Sequence, residues 1–396
     1  MTSTAAPTVA PAALRLGTEG AFAVLARARE LERAGRDVVH LEIGEPDFAT
    51  PVHASEAAFA AIRGGETGYC PAPGLPELRE AAAAELSRTR GVVVPPERVI
   101  VANGAKPFLF FGVLATCEQG DEVIYPDPGF PIYESAIRFA GATPVPLVLR
   151  EADDFAFSVD ELAARMSGRT RLVILNSPQN PTGGVLARET LAAAADVLRD
   201  SPAWVLSDEV YGRLLYEGEF ASIASEPAML ERTIVLDSFS KTYAMTGWRC
   251  GYAAVPSALV EPLTRFVVNS TSCVPPFVQR AGIAALTGPQ DSVAAMVAEF
   301  RARRDLVIEG LNALPGVSCR VPHGAFYAFP NVSAVPLSAD VLAERLLSEA
   351  GVALLSGTAF GAAGENHLRL SYATSRPRLA EGLERMGRFL EGLAGA

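Results

Sequence analysis

The sequence predicts an α/β protein: a mostly parallel sheet covered on both faces, joined to a smaller α+β unit. Three observations lead there. From about Val99 short apolar runs alternate with amphipathic stretches, most of the runs end in polar or glycine-rich residues, and the pattern changes after about residue 288.

The runs are RVIVAN, EVIYPD, TPVPLVL, RLVILN, AWVLSDE, TIVLDSFS and RCGYAAV, each read as a buried strand. Between most of them, KPFLFFGVLATC, FPIYESAIRFAG, SVDELAARMSG and RETLAAAADVLRD have helical periodicity. Repeated strand and helix units imply a largely parallel sheet with helices on both faces. In such sheets ligands bind outside the carboxyl ends of the strands. Asn103-Gly104-Ala105-Lys106, Asp127-Pro128-Gly129-Phe130, Asn176 through Asn180, Asp208 with Tyr211, and Ser238 with Lys241 stand there, and they are expected to converge on one cleft.

After residue 288 a long charged helix, AAMVAEFRARRDLVIEGLNAL, leads to short strand-like pieces at GAFYAFP and HLRLSYA. The expected organisation is a flexible N-terminal arm (1–18), a first part of the small domain (19–48), a large domain (49–288) and the small C-terminal domain (289–396).

With 49% hydrophobic and 20% charged residues, the 396-residue chain has the composition of a soluble globular protein. A net charge of −11 speaks against nucleic acid or an anionic membrane as partner and favours small molecules. The five cysteines are scattered and never form C-x-x-C, which fits core positions in a reducing compartment. The four histidines lack metal-ligand spacing, so neither a metal nor a histidine base is expected. No basic segment precedes an apolar run at the N-terminus and no stretch of ~18 apolar residues occurs, so the expected location is the cytoplasm.

All but two of the 34 basic residues are arginine; the exceptions are Lys106 and Lys241. A lysine amine can lose its proton and condense with an aldehyde, which a guanidinium cannot do. Ser238 and Arg249 flank Lys241 with a hydroxyl and a fixed cation suited to a phosphate. The turn Asn103-Gly104-Ala105-Lys106-Pro107, with Pro107 expected at the first helical position, would aim backbone N–H groups at the same anion. Asp208 ends an apolar run, where a buried carboxylate needs a cation such as a protonated pyridine nitrogen. Tyr211 and Asn180 can hydrogen-bond a phenolate oxygen, and Phe130 can stack on a ring. Singly, each has an ordinary reading: a surface lysine, a connecting turn, a strand-end ion pair. Together they describe pyridoxal 5′-phosphate.

On these residues the chain resembles the class I/II, fold-type I pyridoxal-phosphate-dependent aminotransferases, and within them the bacterial branch of the aspartate aminotransferase family. The resemblance runs from Gly44-Glu45-Pro46-Asp47-Phe48 through Asn180-Pro181-Thr182-Gly183, Asp208 to Tyr211, Ser238-Phe239-Ser240-Lys241 and Gly247-Trp248-Arg249 to Leu368-Arg369-Leu370-Ser371-Tyr372. It implies a seven-stranded sheet in the large domain. It also implies that Lys241 forms the Schiff base and then moves the substrate proton, and that Asp208 pairs with the ring nitrogen. Asn180 and Tyr211 would contact the phenolic oxygen. Ser238, Arg249 and the turn Gly104, Ala105, Lys106 would hold the phosphate, with Phe130 over the ring. Tyr69 would reach the phosphate of the partner subunit's cofactor, implying a homodimer with shared sites. Arg369, with Asn180 and the backbone of Gly44, would clamp the substrate α-carboxylate.

The implied reaction moves the amino group of an L-amino acid to a 2-oxo acid by a ping-pong route, with 2-oxoglutarate the expected acceptor. In the bacterial branch a lysine at the Lys106 position helps recognise a distal carboxylate, and its retention in a lysine-poor chain favours an acidic substrate or co-substrate. The partner-subunit arginine of the dicarboxylate-specific branch has no counterpart in VVNSTSCVPPF, EGAFAVLARA departs from the usual P-S-A-T run, and Phe130 replaces the commoner tryptophan. These departures leave the amino donor open. The alternative is a lyase or specialised biosynthetic enzyme of the same fold, which ammonia release without an oxo acid would reveal. A nicotinamide-dependent oxidoreductase would need a G-x-G-x-x-G turn that the sequence lacks.

Overall fold

The computed structural model describes residues 8–394. In chain order the strands are β1 (Val39–His40), β2 (Val99–Ala102), β3 (Glu122–Asp127), β4 (Thr143–Val148), β5 (Thr170–Asn176), β6 (Trp204–Asp208), β7 (Thr233–Ser238), β8 (Gly251–Ala254), β9 (Tyr327–Ala328), β10 (Val352–Ala353), β11 (Leu355–Ser356) and β12 (Leu368–Ser371). All seven apolar runs of the sequence are strands of one seven-stranded sheet, ordered β2-β8-β7-β6-β5-β3-β4. Only β8 runs antiparallel to its neighbours, β2 and β7.

Burial on both faces explains why these strands are continuous apolar runs: β2, β3, β7 and β8 are buried at every residue. Alternate residues of β2 go to opposite sides. Ile100 and Ala102 share a core with Phe108, Leu109 and Val113 of the helix Lys106–Thr116, while Val99 and Val101 pack with Leu78, Ala82 and Leu86 of the helix Pro76–Arg90. The half-exposed β4 carries Pro144 and Pro146, which the sheet edge tolerates because no further strand needs their missing N–H groups.

Strand register brings the polar ends together. Asn176 lies beside Asp208, and Ser238 beside Gly251, which in turn pairs with Ala102 just before the Asn103–Ala105 turn. The ends of β5, β6 and β7 and the start of β8 therefore form one polar rim.

The C-terminal part is built as the sequence indicates, with the charged helix Asp291–Asn312 packed on the final helix Arg376–Ala394 and a small antiparallel sheet of order β11-β12-β9. The segment before residue 49 joins it: β1 pairs in parallel with β10, and Asp37 accepts hydrogen bonds from Arg378 and Arg385. Of the N-terminal arm, residues 1–7 lie outside the described residues. The rest is not a free arm throughout. Arg15 donates to the carbonyls of Arg138 and Phe139 at 2.8 and 3.0 Å, and the Gly17 N–H donates to Ser135 Oγ at 2.9 Å, fastening this stretch to the helix Ile132–Ala140. Only Cys250 and Cys319 are fully buried; Cys70, Cys117 and Cys273 sit at the margin of the cores.

Candidate active site

A cavity of about 570 Å³ opens at the polar rim. Lys241 stands in it, half-buried in the helical turn Phe239–Thr242 that follows β7. Its Nζ donates to the carbonyl of Gly44 at 2.6 Å and lies 5.9 and 5.7 Å from the ring centres of Tyr211 and Phe326. Shielding from water, reinforced by the cations Arg369, Lys106 and Arg249 against the opposing pull of Glu45, lowers its pKa to about 8. A side chain at residue 44 would strike the Tyr327 hydroxyl, so only glycine lets this backbone approach the amine.

Asp208 is buried at the end of β6. Its Oδ2 accepts from the Tyr133 hydroxyl at 2.7 Å, and Oδ1 from the Val210 N–H at 3.5 Å. Burial raises its pKa to about 6 although both hydrogen bonds act in the other direction. The carboxylate is thus held for a cation. Tyr211, in the turn that follows β6, shares a hydroxyl hydrogen bond of 2.8 Å with Tyr327, and burial pushes its pKa well above the ordinary phenol value. Phe130 lines the cavity wall edge-on to Tyr133, with the Lys106 ammonium 5.5 Å from its ring centre.

An anion cup lies at the other end. Gly104 turns the chain at φ +89° into the helix starting at Lys106, where Ala105 is the N-cap and Pro107 the second, not the first, helical residue. That position suits proline equally well, because the first four N–H groups of a helix lack internal partners. The Arg249 guanidinium packs against Gly104 so closely that a Cβ there would run into it; Nη1 donates to the Thr246 carbonyl at 2.8 Å and Nη2 to that of Asn103 at 3.3 Å. Arg249 itself holds φ +53°, an unfavourable conformation for a side-chain-bearing residue that commonly marks functional positions. Ser238 Oγ accepts from the Ser240 N–H at 3.3 Å, leaving its own proton to give. The Gly104 N–H is spent on the Ala102 carbonyl at 2.7 Å, but the guanidinium, the hydroxyl and the amides of Ala105 and Lys106 make a cup of the chemistry a phosphate needs.

Arg369, from β12, is 3% exposed and lies between the rings of Tyr327 and Phe360, at 4.7 and 5.0 Å. Nη2 donates to the Glu42 carbonyl and Nη1 to Asn180 Oδ1 at 3.5 Å, while the buried Nε has no hydrogen-bond partner. A buried guanidinium N–H left unpaired is costly unless a ligand takes it, and a carboxylate is the natural one. Asn180 is held by its own N–H donating to Asn176 Oδ1 at 3.1 Å, and Asn176 Nδ2 donates to the Asp208 carbonyl at 2.9 Å.

Gly44, Ala105, Lys106, Phe130, Asn180, Asp208, Tyr211, Ser238, Lys241, Arg249 and Arg369 all line this one cavity, with Gly104 directly behind Arg249. Tyr69 does not; it is 91% exposed. Sequence reasoning missed Tyr133, Tyr327, Phe360 and Glu19, which also line it. Tyr133 was within reach, since it stands three residues after Phe130, whose carbonyl accepts its N–H at 3.0 Å. The others come from distant elements and carry no local signal.

The sequence profile of the family described as aminotransferase class I and II matches residues 36–386. An aspartate aminotransferase of Pyrococcus horikoshii is 41% identical over 371 residues, 92% of this chain and 94% of that protein. The crystal structure of an aspartate aminotransferase from Rhizobium meliloti superposes with a TM-score of 0.93 at 36% identity, covering 98% of this chain and 99% of that one. That of an aromatic aminotransferase from Pyrococcus horikoshii gives 0.88 at 41% identity, over 92% and 99%.

Proposed function

The chain belongs to the class I and II aminotransferases, and from that premise we propose that it is a pyridoxal-phosphate-dependent enzyme moving the amino group of an L-amino acid to a 2-oxo acid, with 2-oxoglutarate as acceptor, by way of Lys241. The observation that carries this reading is the Lys241 amine sharing one cavity with two separate anion holders, Arg249 and Arg369, both of which lower its pKa. The unpartnered Arg369 Nε and the open cup around Gly104 and Arg249 fit a carboxylate and a phosphate.

Pyridoxal 5′-phosphate, bound at Lys241, would supply a protonated ring able to take up the electrons of the substrate Cα–H bond. Ser238, Arg249 and, in the turn at Gly104, the amides of Ala105 and Lys106 would hold its phosphate, with Phe130 against its ring. Asp208, ionised at neutral pH with a pKa of about 6 and fixed by Tyr133, would pair with the ring nitrogen and keep it protonated. Tyr211 and Asn180 would donate to the phenolic oxygen. Arg369 takes the substrate α-carboxylate, helped by Asn180 and the Gly44 backbone, and so orients the Cα–H bond. Lys241, as a free amine, would move the proton from Cα; an amine with a pKa of about 8 is neutral in a useful fraction of molecules near working pH. No arginine can do this, because its guanidinium does not deprotonate.

We further read the enzyme as a cytoplasmic homodimer in which the exposed Tyr69 completes the phosphate site of the neighbouring subunit, built from an arm (1–18), a small domain (19–48 and 289–396) and a large domain (49–288).

Lys241→Arg is the test. It should leave the fold intact but abolish the visible absorbance of the attached cofactor and slow single-turnover transamination by on the order of 10³-fold or more. Turnover near the parent rate would end the assignment. Ammonia release from a single amino acid, without an oxo acid, would favour the lyase instead.

A further inference from the structure

The cations lining the cavity are Lys106, Lys241, Arg249 and Arg369. On the aminotransferase reading, on which the inference about the fourth rests, three have tasks: Lys241 for the cofactor, Arg249 for the phosphate, Arg369 for the α-carboxylate. Lys106 alone remains for the substrate side chain, and it already holds a carboxylate. Its Nζ is ion-paired with Glu19, 87 residues earlier in the chain.

The pairing is built in. Glu19 is the N-cap residue of the helix Gly20–Arg33, where an acidic side chain ordinarily serves the helix end, yet it makes no capping hydrogen bond and turns to Lys106 instead. Its side chain is 18% exposed, against 45% for Lys106. The preceding residues are fastened by the bonds from Arg15 and Gly17 to the helix Ile132–Ala140, which holds Glu19 over the cavity. The Lys106 ammonium lies 5.5 Å from the Phe130 ring centre, and the same cavity wall carries the apolar residues Ala21, Phe22, Ile43, Leu109 and Leu355.

We propose that Glu19 is a specificity-determining residue: by occupying Lys106 it fits the side-chain pocket to donors with uncharged, apolar side chains and disfavours aspartate and glutamate. A distal carboxylate entering here meets Glu19 as a like charge and must displace it to reach Lys106, whereas an apolar side chain meets the wall and leaves the pair intact. Selectivity thus comes from a repulsive element as much as an attractive one. The same displacement is required of 2-oxoglutarate as acceptor.

The test uses holoenzyme of the parent, of Glu19→Gln and of the double variant Glu19→Gln/Lys106→Gln. Calorimetry gives the affinities for succinate, a non-reacting dicarboxylate, and 3-phenylpropionate, an apolar monocarboxylate; half-reaction kcat/KM values are taken with aspartate and phenylalanine. Glu19→Gln should raise the succinate to 3-phenylpropionate affinity ratio about tenfold, equivalent to about 1.4 kcal/mol, and shift kcat/KM toward aspartate; the double variant should lose the gain. A change in the ratio under threefold, or a gain that survives removal of Lys106, overturns the proposal. If both ligands bind but no amino acid turns over, the aminotransferase reading fails, and the binding ratio still decides the role of Glu19.

Discussion

Arg90→Met should be among the most damaging substitutions outside the cavity. Arg90 closes the helix Pro76–Arg90 with a side chain 1% exposed, donating to Glu209 Oε2 at 2.9 Å and to Asp237 Oδ2 at 2.7 Å. Those carboxylates directly follow Asp208 and directly precede Ser238, so one guanidinium ties the ends of β6 and β7 where the cavity begins. Removing one member of a buried ion pair typically costs about 3–5 kcal/mol. Here Glu209 keeps the Ser207 and Ser222 hydroxyls, at 2.8 and 2.6 Å, and Asp237 keeps the Ser238 N–H at 2.7 Å. Burial already pushes the Asp237 pKa up, with Arg90 the foremost influence holding it down. The loss is therefore set near the middle of that range, about 4 kcal/mol, a large share of a typical stability of about 5–15 kcal/mol. Without Arg90 the Asp237 carboxyl would titrate still further above its unfolded value, so the deficit should grow as pH rises from 6 to 8. Urea denaturation of the holoenzyme, followed by far-UV circular dichroism at both pH values, measures it. A loss below about 1 kcal/mol, or one independent of pH, would refute the idea that this guanidinium compensates two buried charges.

Gly104→Ala should weaken cofactor binding by about tenfold or more and stability by roughly 1 kcal/mol, because alanine is strained at φ +89° and its methyl displaces the Arg249 guanidinium; an absorbance titration in which the cofactor affinity stays within twofold would contradict the assignment of the cup. His40 bridges Glu42 (2.8 Å) and Glu32 (3.1 Å), and the Glu42 hydrogen bond leads in raising its pKa from 6.5 to about 9. Its contribution to stability is complete below pH 6.5 and lost as pH climbs through about 9, so the stability gap between the parent and His40→Gln should close over that interval in denaturation midpoints.

How much of the molecule is legible in the sequence depends on how each feature is encoded. Strands buried on both faces must be apolar throughout, so six runs announced themselves; the seventh, β4, was read as buried but is half-exposed at the sheet edge, where Pro144 and Pro146 are tolerated. The convergence of Asp208, Ser238, Lys241 and the Gly104 turn came from the rule for strand ends in a parallel sheet. The side-chain pocket had no such rule. Tyr327 arrives from the small sheet to meet Tyr211 across 116 residues, and Glu19 stands where an acidic residue looks like ordinary helix capping. Long-range partners of this kind leave no periodicity.

Glu19 also changes what the second lysine means. On the proposed mechanism Lys241 is lysine because its amine must lose a proton, whereas Lys106 need not titrate to hold a carboxylate. An arginine at 106 would grip Glu19 through two parallel N–H···O bonds. A half-exposed ammonium offers a single compact charge, and exposed pairs of that kind contribute only about 0–1 kcal/mol. On the proposal for Glu19, such a pair can set a preference and still be opened by an incoming dicarboxylate. The proposed two half-reactions, which place different side chains in one pocket, would require that balance, and on this reading a chain that otherwise writes its positive charges as arginine keeps lysine at the two places where a contact would be given up during turnover.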